Sequence, residues 1–340
     1  MAASAIFPGA AMGSGMYESF YLRAVCPREP VGVWIRHTVH KRPGRRPKGS
    51  VWCTVFDARA GRPFMHKLTS DRLEVPRRGW IEVGDAREDR ADLGADREGA
   101  SMGPGWARGS CGPASWSLSF SSGQQELRHL SPEWLYRMPL PRTKLTSPAP
   151  AASFEGVLEL AGRSAIELDR WPGMVGHNWG SEHAERWIWL HGLAFEGAPG
   201  AWLDVALGRL KLAGRMTPWL ANGALSLDGS RYRVGGLRAR GPSVAESAEG
   251  CSLHLRGERG LSIEARVDVP PQAAAGWRYA DPDGESVHEV MNCSVASLQL
   301  SVRAPGAAAT RALRSAHACA YELGMRERDH GVPIAPFPDG

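Results

Sequence analysis

At 340 residues, with 41 Lys and Arg against 36 Asp and Glu for a net charge of +5, the chain is long enough to favour two domains and has no dominant charge. Hydrophobic residues make up 43% and charged residues 23%, an ordinary balance for a soluble protein, and no apolar run reaches the roughly 18 residues of a membrane-spanning helix. Most of the bases are Arg, and the one dense cluster, 41–48, contains two Pro and a Gly and reads as a solvated hairpin tip. With no aromatic interleaving and no known module, nucleic acid is excluded as a partner.

Six cysteines (26, 53, 111, 251, 293 and 319) are scattered without zinc-like spacing, so they read as reduced, buried thiols of a cytoplasmic protein. The first residues lack the basic and apolar regions of a signal peptide, and 1–15 read as a flexible tail. Strand-like runs follow at 17–24, 33–39, 51–56, 64–68 and 80–83, separated by Pro and Gly turns. Residues 85–109 hold little apolar content and predict a solvated loop. At 115–121, Trp116, Leu118 and Phe120 alternate with serines, a strand with one wet face.

Five prolines between 130 and 152 predict a linker, because they block ladder hydrogen bonds. Further runs occupy 154–160, 164–168, 187–195, 201–212, 224–227, 232–234, 251–256, 261–269, 288–302 and 311–322, almost all of them 4–12 residues long. The last could be a helix on propensity, but its alternation favours a strand. Two units are also written into a weak repeat: Trp34 and Trp187 lie 153 positions apart, and Trp52 and Trp202 lie 150 apart, each pair in a strand–hairpin–strand context. The domains expected are therefore 1–150 and 151–340, or a cut near 212 if the two units exchange strands.

The most informative stretch is 176–192, which holds three of the 11 His and three of the 13 Trp. Alternation from Trp187 to Phe195 predicts a strand covered on both faces, and Asn178, Gly180 and Ser181 predict a bend just before it. The combination of Asn178-Trp179-Gly180 with Trp187-Ile188-Trp189 resembles the central motif of the tandem lipocalin-like family, which includes the carotenoid 1,2-hydratases (hydroxyneurosporene synthases), AttH-type proteins and, more distantly, tocopherol cyclase. The resemblance implies an all-β fold of two tandem lipocalin-like antiparallel β-barrels. It also implies a hydrophobic, isoprenoid or polyketide-like ligand handled without an organic cofactor. Where some relatives carry an acidic or basic residue before Asn-Trp-Gly, this chain has His177.

From the residues themselves, His177, Glu182 and His183 are the candidate proton donors and acceptors of the bend. Asn178, Trp179, Trp187, Trp189 and His191 are candidate ligand contacts, with Trp34 and Arg36 in the equivalent place of the first repeat. Trp faces would stabilise a developing cation in a dry site. His177 and His191 also admit a reading as core histidines bonded across a sheet. The three histidines could converge on a metal, but spacings of six and eight residues across a bend do not match strand-borne ligand pairs, and no stoichiometric metal is expected. No nucleophile elbow, Gly-x-Gly-x-x-Gly or Walker sequence appears, so no nucleotide cofactor is expected either. The function expected is acid–base hydration, cyclisation or isomerisation of an apolar small molecule; the alternative is a non-catalytic carrier. Oligomeric state is not readable. Far-ultraviolet circular dichroism should be β-dominated, and a helix content above about a third would contradict the assignment.

Overall fold

The computed structural model describes residues 3–85, 98–212, 214–237, 239–326 and 330–337. Among them are only strands and four short 3-10 turns. In the first half the strands are β1 (Met16–Val25), β2 (Val31–Lys41), β3 (Lys48–Asp57), β4 (Phe64–Ser70), β5 (Leu73–Glu74) and β6 (Ile81–Gly84). Then come β7 (Gly99–Gly103), β8 (Trp106–Cys111), β9 (Ala114–Ser121), β10 (Leu127–Arg128), β11 (Thr143–Leu160) and β12 (Ile166–Gly180). The second half holds β13 (Arg186–Gly192), β14 (Trp202–Arg209), β15 (Lys211–Leu212), β16 (Arg215–Met216), β17 (Leu220–Leu227) and β18 (Ser230–Gly235). It ends with β19 (Ser243–Ser247), β20 (Gly250–Arg256), β21 (Ser262–Asp268), β22 (Ala275–Ala280), β23 (Val287–Arg303) and β24 (Arg311–Met325).

Two large antiparallel sheets result, in the order β4-β3-β2-β1-β12-β11-β9-β8-β7-β6-β5, with β10 also on β11, and β18-β17-β14-β13-β24-β23-β21-β20-β19, with β22 also on β23; β15 and β16 form a separate pair. A bridge between Val234 and Gly257 brings the two ends of the second sheet together, which nearly closes that barrel. These are two tandem lipocalin-like barrels. The strand that opens each half pairs with the one that ends it, β1 with β12 and β13 with β24, so β2–β3 correspond to β14–β17 and the Trp pairs on β2–β3 and β13–β14 sit one strand out of step.

Burial explains the near-continuous apolarity of β1 to β3. One face of these strands, with Phe20, Leu22, Val33, Ile35, Val51 and Cys53, joins Ile81, Met102, Trp116 and Phe154 in a core filling the first barrel. The opposite face sends Val25, Trp34, Trp52 and Phe56 into a second core, built mainly from β13–β24. A strand covered on both sides cannot alternate in polarity. All six cysteines are free and buried, each a small apolar filler.

Four expectations change. Residues 99–103 and 106–111 form β7 and β8, not a solvated loop; Gly, Ala and Ser are small enough to hide the period-two signal, yet Ile81 pairs Met102 and Val83 pairs Ala100. The rest of that predicted loop, 86–97, lies outside the described residues. The prolines at 148 and 150 lie within β11 rather than in a linker, tolerated because the β11–β12 register shifts between Thr146 and Ala149 and again before Ala152. The chain therefore changes sheet at 181–185, after β12 has closed the first barrel, and not at 150 or near 212. The N-terminal segment is also tied down. Buried Glu18 accepts the backbone N–H of Ile6 and Phe7, while Lys41 Nζ donates to the carbonyls of Ala11 (2.8 Å), Met12 and Ser14. Buried charges need partners, and this segment supplies them.

Burial without partners also predicts acid lability. His37 is fully buried in β2 and neither ring nitrogen has a hydrogen-bond partner; burial pushes its pKa down to about 3. Burial likewise lowers His191 to about 4 and His288 to about 3. A depressed histidine pKa means that the unfolded chain binds the proton first as pH falls below about 6.5. Stability should therefore decline from about pH 6.5 down to pH 4, by up to roughly 1.4 kcal/mol per pH unit for each such group. Thermal melts across that range should show the decline, and His37→Phe should make it shallower; a flat profile would contradict the assignment.

Candidate functional site

The segment that crosses between the barrels, 181–185, is held at four of its five residues. Ser181 N donates to Arg142 O (3.3 Å), Thr143 Oγ1 to Glu182 O (2.8 Å), His183 N to Asp281 Oδ1 (2.8 Å) and Arg326 N to Glu185 O (3.0 Å). It borders a cavity of about 480 Å³, within the usual range for a small-molecule site. The walls come from β1, β2, β11 and β12 of the first sheet, from the segment 129–142, and from β13, β14, β17, β22 and β24 of the second. The first barrel's interior is filled by its own core, so the cavity sits on the seam and against the second sheet.

His183 is the centre of the polar wall. Its Nδ1–H donates to Asp281 Oδ1 at 2.6 Å, and Asp281 Oδ2 accepts Arg326 Nη2 at 2.9 Å. Burial raises the Asp281 carboxyl, but the hydrogen bonds and charge of His183 and the charge of His288 outweigh it, and the pKa stays below the ordinary carboxylate value. With Asp281 ionised and accepting from Nδ1, neutral His183 carries its lone pair on Nε2, which is buried with no hydrogen-bond partner. The imidazole lies between rings: Tyr17 stacks on it at 4.0 Å and 10°, and Trp187 at 5.5 Å and 23°. Tyr17 OH donates to Thr143 Oγ1 at 2.7 Å, since that hydroxyl's own proton goes to Glu182 O.

Beside it stands a second polar cluster. Glu322 accepts Trp187 Nε1 (2.9 Å), Tyr279 OH (3.2 Å) and Asn292 Nδ2 (3.1 Å). Buried Arg36 lies over the Tyr279 ring at 4.2 Å and donates to Ser19 Oγ. Two glycines make these ring positions possible: a Cβ on Gly324 would fall 2.1 Å from the Trp187 ring, and one on Gly176 2.1 Å from the Tyr21 ring. His129 also lines the cavity, and its Nε2 lies 3.1 Å from Oδ1 of buried Asp204, which also accepts Trp189 Nε1 and Ser147 Oγ.

Of the residues singled out from sequence, Glu182, His183, Asn178, Trp187, Trp189, Trp34 and Arg36 line the cavity. Alternation does put Trp187 and Trp189 on one side. Glu182 pairs with Arg142. Three others lie elsewhere. His177 is buried against Glu18 (Nε2 to Oε1, 2.7 Å), stacked between Phe20 and Trp179, and pins β12 to β1. Trp179 packs on His177 and Tyr136. His191 accepts a hydrogen bond from Arg23 Nη1 at Nδ1 (2.8 Å) and donates Nε2–H to Pro150 O (2.8 Å), a link between the barrels. The core-histidine reading holds for both. Sequence reasoning missed Tyr17, Tyr279, Asp281, Glu322 and Arg326, which are far from the motif in sequence; Tyr17 and Glu322 lie in runs that read as plain strands, and the other three lie outside every such run. Asp281 follows β22 in a Pro- and Gly-containing turn, where an acid reads as solvated.

Among the described residues, His183, Asp281 and His288 place ligand-type atoms within 4.8 Å of one another. An ion there would compete with the guanidinium on Asp281 and with the His183–Asp281 hydrogen bond, a poor fit for a resident cation.

No family model matches the chain. An uncharacterized protein of Mycobacterium tuberculosis, found in two strains, is 26% identical over 287 residues, spanning 83% of this chain and 80% of that one. Three solved structures share the fold. CghA with Sch210972 superposes with a TM-score of 0.63 at 13% identity, over 92% of this chain and 88% of that one. Kievitone hydratase from Nectria haematococca gives 0.52 at 8% identity, over 96% and 93%. A Nitrosomonas europaea protein described as AttH-like gives 0.51 at 13%, over 96% and 97%. Identities this low establish the tandem lipocalin-like architecture and leave the site to be argued from this chain.

The placements separate two variants. His177→Ala should strip buried Glu18 of its imidazole partner and cost about 3 kcal/mol in urea unfolding, yet leave binding of an anilinonaphthalene sulfonate dye within twofold. Trp187→Ala should weaken dye binding by about 1–3 kcal/mol. The reverse pattern would put His177 in the site.

Proposed function

We propose that this protein binds an apolar small molecule of isoprenoid or polyketide-like character in the seam cavity and transforms it by acid–base chemistry, with His183 as the proton-transfer group. The observation that carries the proposal is the His183–Asp281 pair: one ring nitrogen fixed by an ionised carboxylate, the other unpartnered on a residue that lines an aromatic cavity. In the forward step, Nε2–H of protonated His183 delivers its proton to a carbon or carbonyl oxygen of the ligand, and Asp281 stabilises the imidazolium beforehand. Positive charge developing on the ligand meets the faces of Trp187, Trp189 and the tyrosines. Water or an internal nucleophile then forms the new bond, and the proton it releases returns to Nε2. The balance is that of a hydration, cyclisation or isomerisation, with no electrons exchanged. Two of the structural neighbours bear names that fit: one is a hydratase, and one was solved with a small molecule.

The carrier alternative rests on the same apolar walls and differs in its dependence on His183. Native mass spectrometry of protein purified from its own host should reveal the co-purifying ligand. Incubated with that ligand in deuterated water, the enzyme should add water or incorporate deuterium. His183→Gln should lower turnover at least a hundredfold and leave ligand affinity within a few-fold, and Asp281→Asn should lower turnover as well. Binding without turnover, equal in wild type and His183→Gln, would establish the carrier.

A further inference from the structure

Among the described residues, eleven large apolar side chains are exposed, and they are not scattered evenly. Four of them, Leu140, Leu212, Leu220 and Leu237, also line the seam cavity, so they stand at its mouth. Trp134 and Met138 belong to the same 3-10 turn and exit as Leu140. These six are between 41% and 59% exposed, more apolar surface than one cavity entrance needs to guide a ligand. The segments that carry them, 133–142, 209–220 and 236–241, also present Arg137, Arg142, Lys211, Arg215 and Arg240 to solvent. Their described residues include one carboxylate, Glu133. Arg142 is more than half exposed although it pairs with Glu182.

Apolar side chains ringed by exposed cations suit one kind of surface. An anionic lipid bilayer offers headgroup charge to the arginines and acyl chains to the leucines and the tryptophan. We infer that the mouth of the seam cavity docks on anionic membranes, with Trp134, Leu212, Leu220 and Leu237 entering the interface. The apolar ligand of the proposed function would then pass between bilayer and cavity without crossing water; this consequence rests on that function, whereas docking does not. No helix among the described residues is long and apolar enough to cross a membrane, so the contact is peripheral in this reading.

Sedimentation with sucrose-loaded vesicles tests the inference. With vesicles of phosphatidylcholine and phosphatidylglycerol, the full chain should co-sediment at low salt. Binding should fall at least tenfold with phosphatidylcholine alone or in about 0.5 M salt, where screening shortens to a few ångströms. The double variant Leu212→Asp/Leu237→Asp should lose at least tenfold in vesicle binding with an unchanged circular dichroism spectrum. Val157→Asp/Val287→Asp, the same charge change at apolar residues exposed elsewhere, should bind as wild type does. Equal loss in both double variants, or no sedimentation with anionic vesicles, would overturn docking. So would light scattering that shows a dimer abolished by the Leu212/Leu237 changes, since a second copy would then cover the mouth. The dye-binding and turnover measurements on Trp187 and His183 report on the cavity separately, so either reading can fail alone.

Discussion

Arg23 holds the two barrels in one arrangement. Its guanidinium is fully buried on β1 and reaches out of the first sheet to His191 Nδ1 and O on β13, Ser294 O on β23 (2.8 Å) and Ala318 O on β24. Burial lowers its pKa to about 10, which leaves it charged at neutral pH. A buried charge is tolerable only when its donors are met, and here the acceptors come from the other sheet. His191 then passes the constraint on through its second nitrogen to Pro150 O on β11. That carbonyl lies where the β11–β12 register is broken, so an irregular strand in one barrel is locked by the ring of a strand in the other. Parting the barrels would strand a guanidinium, an imidazole and several carbonyls at once.

Fixing the barrels fixes the seam, and the seam sets the division of labour. The first barrel spends its interior on packing, and its outer face on β1, β2, β11 and β12, with the segment 129–142, becomes one side of a cavity whose other side belongs to the second sheet. The crossing segment 181–185 is the shortest path between the sheets, so its side chains necessarily border both. That is why His183, on an irregular stretch, has a dyad partner from one part of the second sheet and a ring stacked on it from the first. Carboxylates here are saturated with donors: Asp281 by His183 and Arg326, Glu322 by Trp187, Tyr279 and Asn292. Saturation makes a rigid wall, and rigidity would keep the proton transfer proposed for His183 at working distance.

The shared architecture with proteins at 8–13% identity says that this pattern of strand order tolerates nearly complete change of side chains. A barrel specifies inward and outward faces and leaves the chemistry to whichever residues occupy the seam. Here those residues are a histidine–aspartate pair, an aromatic sandwich and an apolar, cationic mouth.

The sequence by itself determined the periodicity and hence the class of fold. Short alternating runs separated by Gly and Pro turns required antiparallel β-sheets, whereas the Trp spacing at about half the chain links strands that are one step apart in the two sheets. It also marked 176–192 as the place where aromatic and titratable residues meet, and the alternation of Trp187 and Trp189 put both on the cavity side. Local pattern could not say where each ring points once sheets curl. His177 and His183 are equivalent in sequence terms, both polar, each within four positions of a Trp, six positions apart; only β12 pairing with β1 decided that the first is pinned on Glu18 and the second reaches Asp281. Asp281 is about a hundred residues from His183 in sequence, and a contact of that range leaves no trace in composition or period. The prolines of β11 misled for the opposite reason, since their local preference for a break was met within the sheet by a register shift. What tertiary structure decided was which polar groups find partners across the seam, because that depends on which two sheets face each other and not on either strand alone.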